Sequence, residues 1–252
     1  MRVLGATDVG RMRTSNEDSY GFWIPEDSEV RRRRGVLLVV ADGMGGAQAG
    51  EEASGIAVQT LMRAHRDAPG KNPLEELAGA MRLANTAVYE GGQSKAELHG
   101  MGTTCTAVII LGHDLLIAHV GDSRAYLLDR SRIRALTRDH SLVAEMVERG
   151  EITAENARTH PRRNIVTRAI GVGPAVEVDV IMRKGLFSHD SIVLLSSDGL
   201  HGVLRDDAIL QTVRSAGAEQ ACNALIRSAN EAGGPDNITV LLAWDGPGAG
   251  TD

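Results

Sequence analysis

Four aspartates stand at the ends of aliphatic runs. Asp42 comes directly after VLLVVA and before Gly43, and Asp198 comes after SIVLLSS and before Gly199. Asp122 follows LLIAHVG, and Asp236-Asn237 stands immediately before ITVLLA. Taken singly, Asp-Gly after a strand is a turn signal. Four carboxylates at the ends of buried strands can instead converge at one sheet edge, where they repel one another unless protons or cations neutralise them. Hard oxygen ligands without His or Cys partners point to Mg2+ or Mn2+ rather than zinc. A carboxylate bridging two such ions about 3.5–4 Å apart is a device for activating water at phosphorus. The glycine after Asp42 lets a main-chain carbonyl join the coordination shell.

The N-terminal segment TDVGRMRTSNEDSY holds a second cluster. Alone, Asn16-Glu17-Asp18 reads as a polar turn and Arg11 and Arg13 as solvated charges. Beside a dimetal site, one arginine gains a role, because a guanidinium grips two phosphate oxygens in a fork.

The elements that must position these groups follow from hydrophobic patterning. Val36–Ala41, Thr106–Leu111, Leu115–Val120, Ile192–Ser196 and Ile238–Ala243 are nearly continuous aliphatic runs, as expected of strands covered on both faces. Gln48–Asp67 keeps helical spacing through Ala53, Ile56, Ala57, Thr60, Leu61 and Ala64. Asn72-Pro73 opens a second helix as cap and first-turn proline. Ser141–Arg149, Asp206–Ala216 and Ala218–Ala232 complete the helices. The order lacks a regular βαβα alternation and suits antiparallel sheets with helices packed outside them in pairs. The expectation is one α+β domain over 1–245, with an inserted flap over about 137–164 and a tail of linker composition over 246–252.

The chain of 252 residues is long enough for a full core without staples. Its 27 Lys+Arg against 33 Asp+Glu give a net charge of −6, which argues against a nucleic-acid binder. Aromatic residues at 3% leave little for stacking bases or sugars. Cys105 and Cys222 lie in apolar stretches, fit no Cys-x5-Arg phosphate cradle, and suit a reducing cytoplasm. The N-terminus has no apolar signal core, and no run approaches a membrane span. The run Arg31–Arg34 reads as a solvated loop. GMGG lacks the Gly-Lys-Ser/Thr continuation of a nucleotide loop.

NEDSY with an arginine five residues before its Asp, ADGMGG, GDSRAY, SSDGL and GGPDNITV together resemble the metal-dependent protein serine/threonine phosphatases of the 2C family. The motifs occur in family order between Thr7 and Leu241. The closest likeness is to compact bacterial members. The resemblance implies a four-layer αββα sandwich of two antiparallel sheets flanked by helix pairs. It implies that Asp42 bridges two Mn2+ or Mg2+ ions, with the Gly43 carbonyl on one and Asp198 and Asp236 on the other. Asp122 resembles the ligand of a third, weaker ion shared with Asp198. Glu17, Asp18 and Asn237 then act through waters or neighbouring ligands, and Arg13 binds phosphate. The implied reaction is in-line attack of water held between the metals on phosphoserine or phosphothreonine, without a phosphoenzyme.

One catalytic point departs from the pattern. Many relatives carry a histidine just after the first Asp-Gly or after Gly-Met-Gly-Gly, where this chain has Met44 and Ala47. The general acid is then a metal-bound water or a histidine from elsewhere, with His140, His160 and His201 as the candidates. The expected partners are phosphorylated Ser/Thr proteins and a cognate bacterial Ser/Thr kinase, with the phosphatase a cytoplasmic monomer that neither enters a membrane nor binds nucleic acid. The alternatives are a regulator phosphatase for one phosphoprotein and a non-catalytic phosphoprotein-binding relative.

Overall fold

The aliphatic runs form strands whose successive side chains point to opposite sides, and in this chain both sides are covered. The structure, a computed structural model, describes residues 1–246. The tail expected over 246–252 lies, past Gly246, outside the described residues. In chain order the first elements are β1 (Arg2–Asp8), β2 (Asp18–Trp23), α1 (Ser28–Arg34), β3 (Val36–Met44), α2 (Ala47–Asp67) and α3 (Pro73–Ser94). Five strands follow: β4 (Gly102–Thr103), β5 (Cys105–Leu111), β6 (Asp114–Val120), β7 (Arg124–Leu128) and β8 (Ile133–Ala135). The connection from β8 to β9 (Asp179–Arg183) carries two short helices, α4 (Leu142–Glu148) and α5 (Ala154–Arg158). The chain closes with β10 (Ile192–Ser196), α6 (Asp198–His201), α7 (Asp206–Ala216), α8 (Ala218–Glu231) and β11 (Ile238–Trp244).

The strands form two antiparallel sheets, ordered β1-β11-β10-β7-β8 and β2-β3-β5-β6-β9, with β4 paired to β3. Alternation along β3 divides its residues between two cores. Val36, Leu38 and Val40 pack between the sheets against Leu195 and Leu241. Leu37, Val39 and Ala41 pack outward against Ala53, Ala57, Leu61, Leu77 and Met81 of α2 and α3. On the other sheet, Leu194, Val240 and Leu242 face Ile209, Val213, Cys222 and Leu225 of α7 and α8. The result is a four-layer αββα sandwich. β1, β2, β7, β8 and β9 escape hydrophobic pattern reading because they are short, polar or interrupted by glycine.

Two local expectations change. Arg31–Arg34 is the body of α1, not a solvated loop. Asp27 caps this helix by accepting from the N–H groups of Glu29 and Val30 at 2.8 and 2.9 Å. Gly35 ends it at φ 74°, a left-handed position that favours glycine. Arg34 is buried, its guanidinium lying 4.9 Å over the Trp23 ring and donating to the Arg66 carbonyl at 2.6 Å. Asn72 does stand at the N-cap of α3 but its side chain makes no capping bond. The Glu76 carboxylate reaches back instead and accepts from the N–H groups of Gly70, Lys71 and Asn72.

Leu241 is fully buried between the sheets. Truncation to alanine leaves a cavity that two rigid sheets cannot close, so Leu241→Ala is expected to lower stability by about 3 kcal/mol. Urea unfolding monitored by circular dichroism checks this.

Candidate active site

Both sheets end their central strands at the same edge of the sandwich. Asp42 lies near the end of β3, and Asp122 lies in the turn from β6 to β7. Asp198 opens α6 directly after β10, and Asp236 precedes β11. All four line one cavity of about 220 Å³, together with Arg13, Glu17, Gly43 and Asn237. Asp18 sits behind it, paired across β2 and β3 with Asp42. The expected set is therefore brought together.

The main chain around Asp42 is tightly held. Its N–H donates to Thr104 Oγ1 at 3.0 Å, while its carbonyl accepts from the Thr104 N–H at 2.9 Å and Thr103 Oγ1 at 2.8 Å. The Gly43 N–H donates to the Glu17 carbonyl at 3.1 Å. A Cβ on Gly43 would lie 2.1 Å from the Gly50 carbonyl oxygen of α2, so only glycine permits this approach. Gly121, before Asp122, has φ 108°, and a Cβ there would meet Thr104 at 2.5 Å. Thr103 and Thr104 were missed as supporting residues; the signal is the pair of threonines directly ahead of an apolar strand.

Asn237 fixes the N-terminal loop to β11. Its Oδ1 accepts from the Glu17 N–H at 2.9 Å, and its Nδ2 donates to the Val9 and Ser15 carbonyls, each at 2.9 Å. Ser197, also missed, donates to Asp18 Oδ2 at 2.7 Å. Arg13 is half exposed at the rim and donates to Asp236 Oδ2 at 2.8 Å.

The electrostatics follow from burial and crowding. Desolvation, helped by neighbouring Asp198, pushes Asp18 up to about 7 and Asp122 up to about 8. Desolvation, then Asp236, pushes Asp198 up to about 6 against the opposing charge of Arg13. Asp42 is raised well above the usual carboxylate range by desolvation and then by Asp18, Asp198, Asp122 and Asp236. Glu17 is also raised, mainly by desolvation. Arg13 is the one basic residue lining the cavity.

These residues fit hard cations. The donors are oxygens, the charge excess is negative, and the buried Asp18 Oδ1 has no hydrogen-bond partner. Among the described residues no three carboxylates close around a single point by themselves. Asp236 is instead paired with Arg13 at 2.8 Å.

None of the three candidate histidines lines this cavity. His140 is buried, its Nδ1 accepting from the Gly121 N–H at 3.0 Å while Nε2 lies 3.2 Å from Asp179. His201 is buried beside Ser196 Oγ at 3.1 Å, and desolvation pushes it down to about 3, so it stays neutral. His160 accepts from the Arg162 N–H at 3.2 Å within the flap. Both cysteines are buried, and desolvation pushes Cys105 up to about 12 and Cys222 up to about 11, which leaves them protonated.

Carboxylates whose folded values are raised contribute stability at low pH, and that contribution is lost as pH rises through the folded values. The loss accumulates from the ordinary carboxylate value of 3.8 up to the folded values near 6, 7 and 8, that is between about pH 4 and pH 8. In excess chelator the protein is expected to lose on the order of 2 kcal/mol across that window, about 5 °C in Tm. Mn2+ should remove the loss, increasingly so towards about pH 8. Thermal scans at each pH with and without Mn2+ measure both.

Comparison with known proteins agrees with this geometry. The sequence profile of protein phosphatase 2C matches residues 3–238. Serine/threonine phosphatase stp of Listeria welshimeri is 40% identical over 243 residues, covering 94% of this chain and 92% of the relative. The crystal structure of the Mycobacterium tuberculosis serine/threonine phosphatase PstP/Ppp superimposes with a TM-score of 0.85 at 35% identity, covering 97% of this chain and 99% of that one. A structure of the PstP catalytic domain in complex with two manganese ions matches with a TM-score of 0.81 at 35% identity, covering 96% of each chain. The chain belongs to the protein phosphatase 2C family, the Mn2+- or Mg2+-dependent protein serine/threonine phosphatases.

Proposed function

We propose that the carboxylate cavity is the catalytic centre through which this serine/threonine phosphatase hydrolyses phosphoserine and phosphothreonine in proteins. The observation that carries the reading is the meeting of Asp42, Asp122, Asp198 and Asp236 with Arg13 in one cavity of about 220 Å³. Asp42, the Gly43 carbonyl, Asp198 and Asp236 would hold two Mn2+ or Mg2+ ions, and Asp122 with Asp198 would hold a third. The remaining coordination comes from water, which Mg2+ in particular retains. When bound, these ions supply Lewis-acid activation of the attacking water and of the phosphoryl oxygens.

The residues of the chain do the positioning. Arg13 stands at the rim with a flexible stem, and its guanidinium orients the phosphoryl group through two of its oxygens. Thr103 and Thr104 fix the main chain of Asp42 from both sides. Asn237 keeps Glu17 and the Arg13 loop in register with β11. Glu17 and Asp18 orient the water in the centre. Residues 1–245 act as one catalytic unit, with 137–164 as its flap.

The substrates are phosphoproteins, and the partner is a bacterial Ser/Thr kinase whose products the enzyme reverses. Among the described residues no helix is long and apolar enough to cross a membrane. The enzyme is proposed to act in the cytoplasm as a monomer. The complete set of Arg13 and four aspartates argues against a non-catalytic relative.

Hydrolysis of p-nitrophenyl phosphate and of a phosphothreonine peptide is expected to need Mn2+ or Mg2+ and to vanish in excess EDTA. Asp198→Ala should lower kcat at least ~1,000-fold. Cys105→Ser and Cys222→Ser should retain turnover. Arg13→Ala should raise KM about tenfold or more, because a bidentate charge-assisted contact is lost. Steady-state kinetics with and without each metal decide these points; full activity in EDTA would refute the reading.

A further inference from the structure

We propose that the cavity beneath the flap is a substrate subsite, which accepts an apolar side chain close in sequence to the phosphorylated residue. The inference rests on the catalytic reading above. The cavity measures about 620 Å³ and lies between α4 and α5 on one side and the β7–β8 hairpin and α6 on the other. The catalytic cavity, about 220 Å³, is far too small for flanking peptide in addition to ions and a phosphoryl group. The larger cavity has the size of an ordinary ligand pocket.

The two cavities share a wall. Asp122, Asn164 and Asp198 line both. A phosphorylated residue seated at Arg13 and Asp42 therefore presents its neighbours to the flap cavity. Three extended residues reach about 10 Å, which bridges cavities separated by one layer of side chains.

The chemistry of the lining selects the occupant. Val143, Ala144, Val147, Ala154 and Ala157 form the flap wall. Several of the polar side chains that complete the lining already have partners, while Arg163 and Asn164 at its rim stay exposed. Arg124 donates to both carboxylate oxygens of Asp139 at 2.7 Å and to the Tyr126 hydroxyl at 2.9 Å. Arg138 is paired with Glu148. Arg158 is directed at the carbonyls of His201 and Leu204 at 3.4 and 3.5 Å. The Thr137 hydroxyl accepts from the Ala125 N–H at 3.1 Å, and the Ser141 hydroxyl caps α4. A polar ligand would have to displace these bonds, whereas an aliphatic or aromatic side chain gains by burial alone. A leucine-sized or phenylalanine-sized side chain is the class that this wall recognises.

The test uses the full chain with Mn2+ and three substrates: p-nitrophenyl phosphate, a phosphothreonine peptide with leucine at the three positions on either side, and the same peptide with serine there. The expected result is a kcat/KM about tenfold higher for the leucine peptide. Ala157→Trp, which fills the cavity, should erase that difference while leaving p-nitrophenyl phosphate within twofold of the unaltered protein. Equal kcat/KM for the two peptides in the unaltered protein would overturn the subsite. Should Ala157→Trp depress all three substrates, Val147→Ala decides: a reduced leucine preference supports the subsite, and an unchanged one overturns it. Failure to hydrolyse any of the three would overturn the catalytic reading itself, a result distinct from hydrolysis without preference.

Discussion

Mutual repulsion among buried carboxylates is the constraint around which the rest of the molecule is arranged. Asp18, Asp42, Asp122 and Asp198 are each shifted upward first by desolvation and then by neighbouring aspartates, Asp236 among them. An unsupported loop would relieve that strain by swinging its carboxylate into water. Here the carboxylates hang from the ends of β3, β6, β10 and β11, whose bodies are buried on both faces. The apolar sandwich supplies the rigidity, and the site spends it. Electrostatic preorganisation of this kind requires that the polar groups stay put when charge arrives.

The supporting bonds are concentrated on main chain rather than on carboxylate oxygens. Thr103 and Thr104 grip both the N–H and the carbonyl of Asp42. Asn237 grips the N-terminal loop at three points, and His140 holds the Gly121 turn through its ring nitrogen. The Asp42, Asp122 and Asp198 side chains face the cavity, while the unpartnered Asp18 Oδ1 lies buried behind it. Position is thus fixed without using up the groups that bind, which reconciles a stiff site with an accessible one.

Much of this was legible in the sequence because its cause is local. An aliphatic run followed by Asp-Gly states both a buried strand and a carboxylate at its end, so Asp42, Asp198 and their neighbours could be read directly. The long helices were equally plain from their spacing. Ser197 and the roles of Asn237 and His140 depend on contacts between segments up to 228 residues apart, and no local pattern announces those. The arginine run misled for the opposite reason. Its charges suggested solvent, yet Asp27 and Gly35 bracket a helix and Trp23 covers Arg34. Caps outweighed composition there.

The closing of the sheet by the two chain ends has a consequence for timing. β1 pairs with β11 along its whole length, from Arg2 opposite Trp244 to Asp8 opposite Ile238. Arg13 and Asp236 face each other across 223 residues. During synthesis the first sheet elements emerge long before the strand that completes them. A polypeptide still lacking β11 has no Asp236, no Asn237 and no partner for its first strand, however well its second sheet and first helix pair have collapsed. A product truncated before Asp236 therefore lacks part of the carboxylate cavity as well as the strand that closes the first sheet.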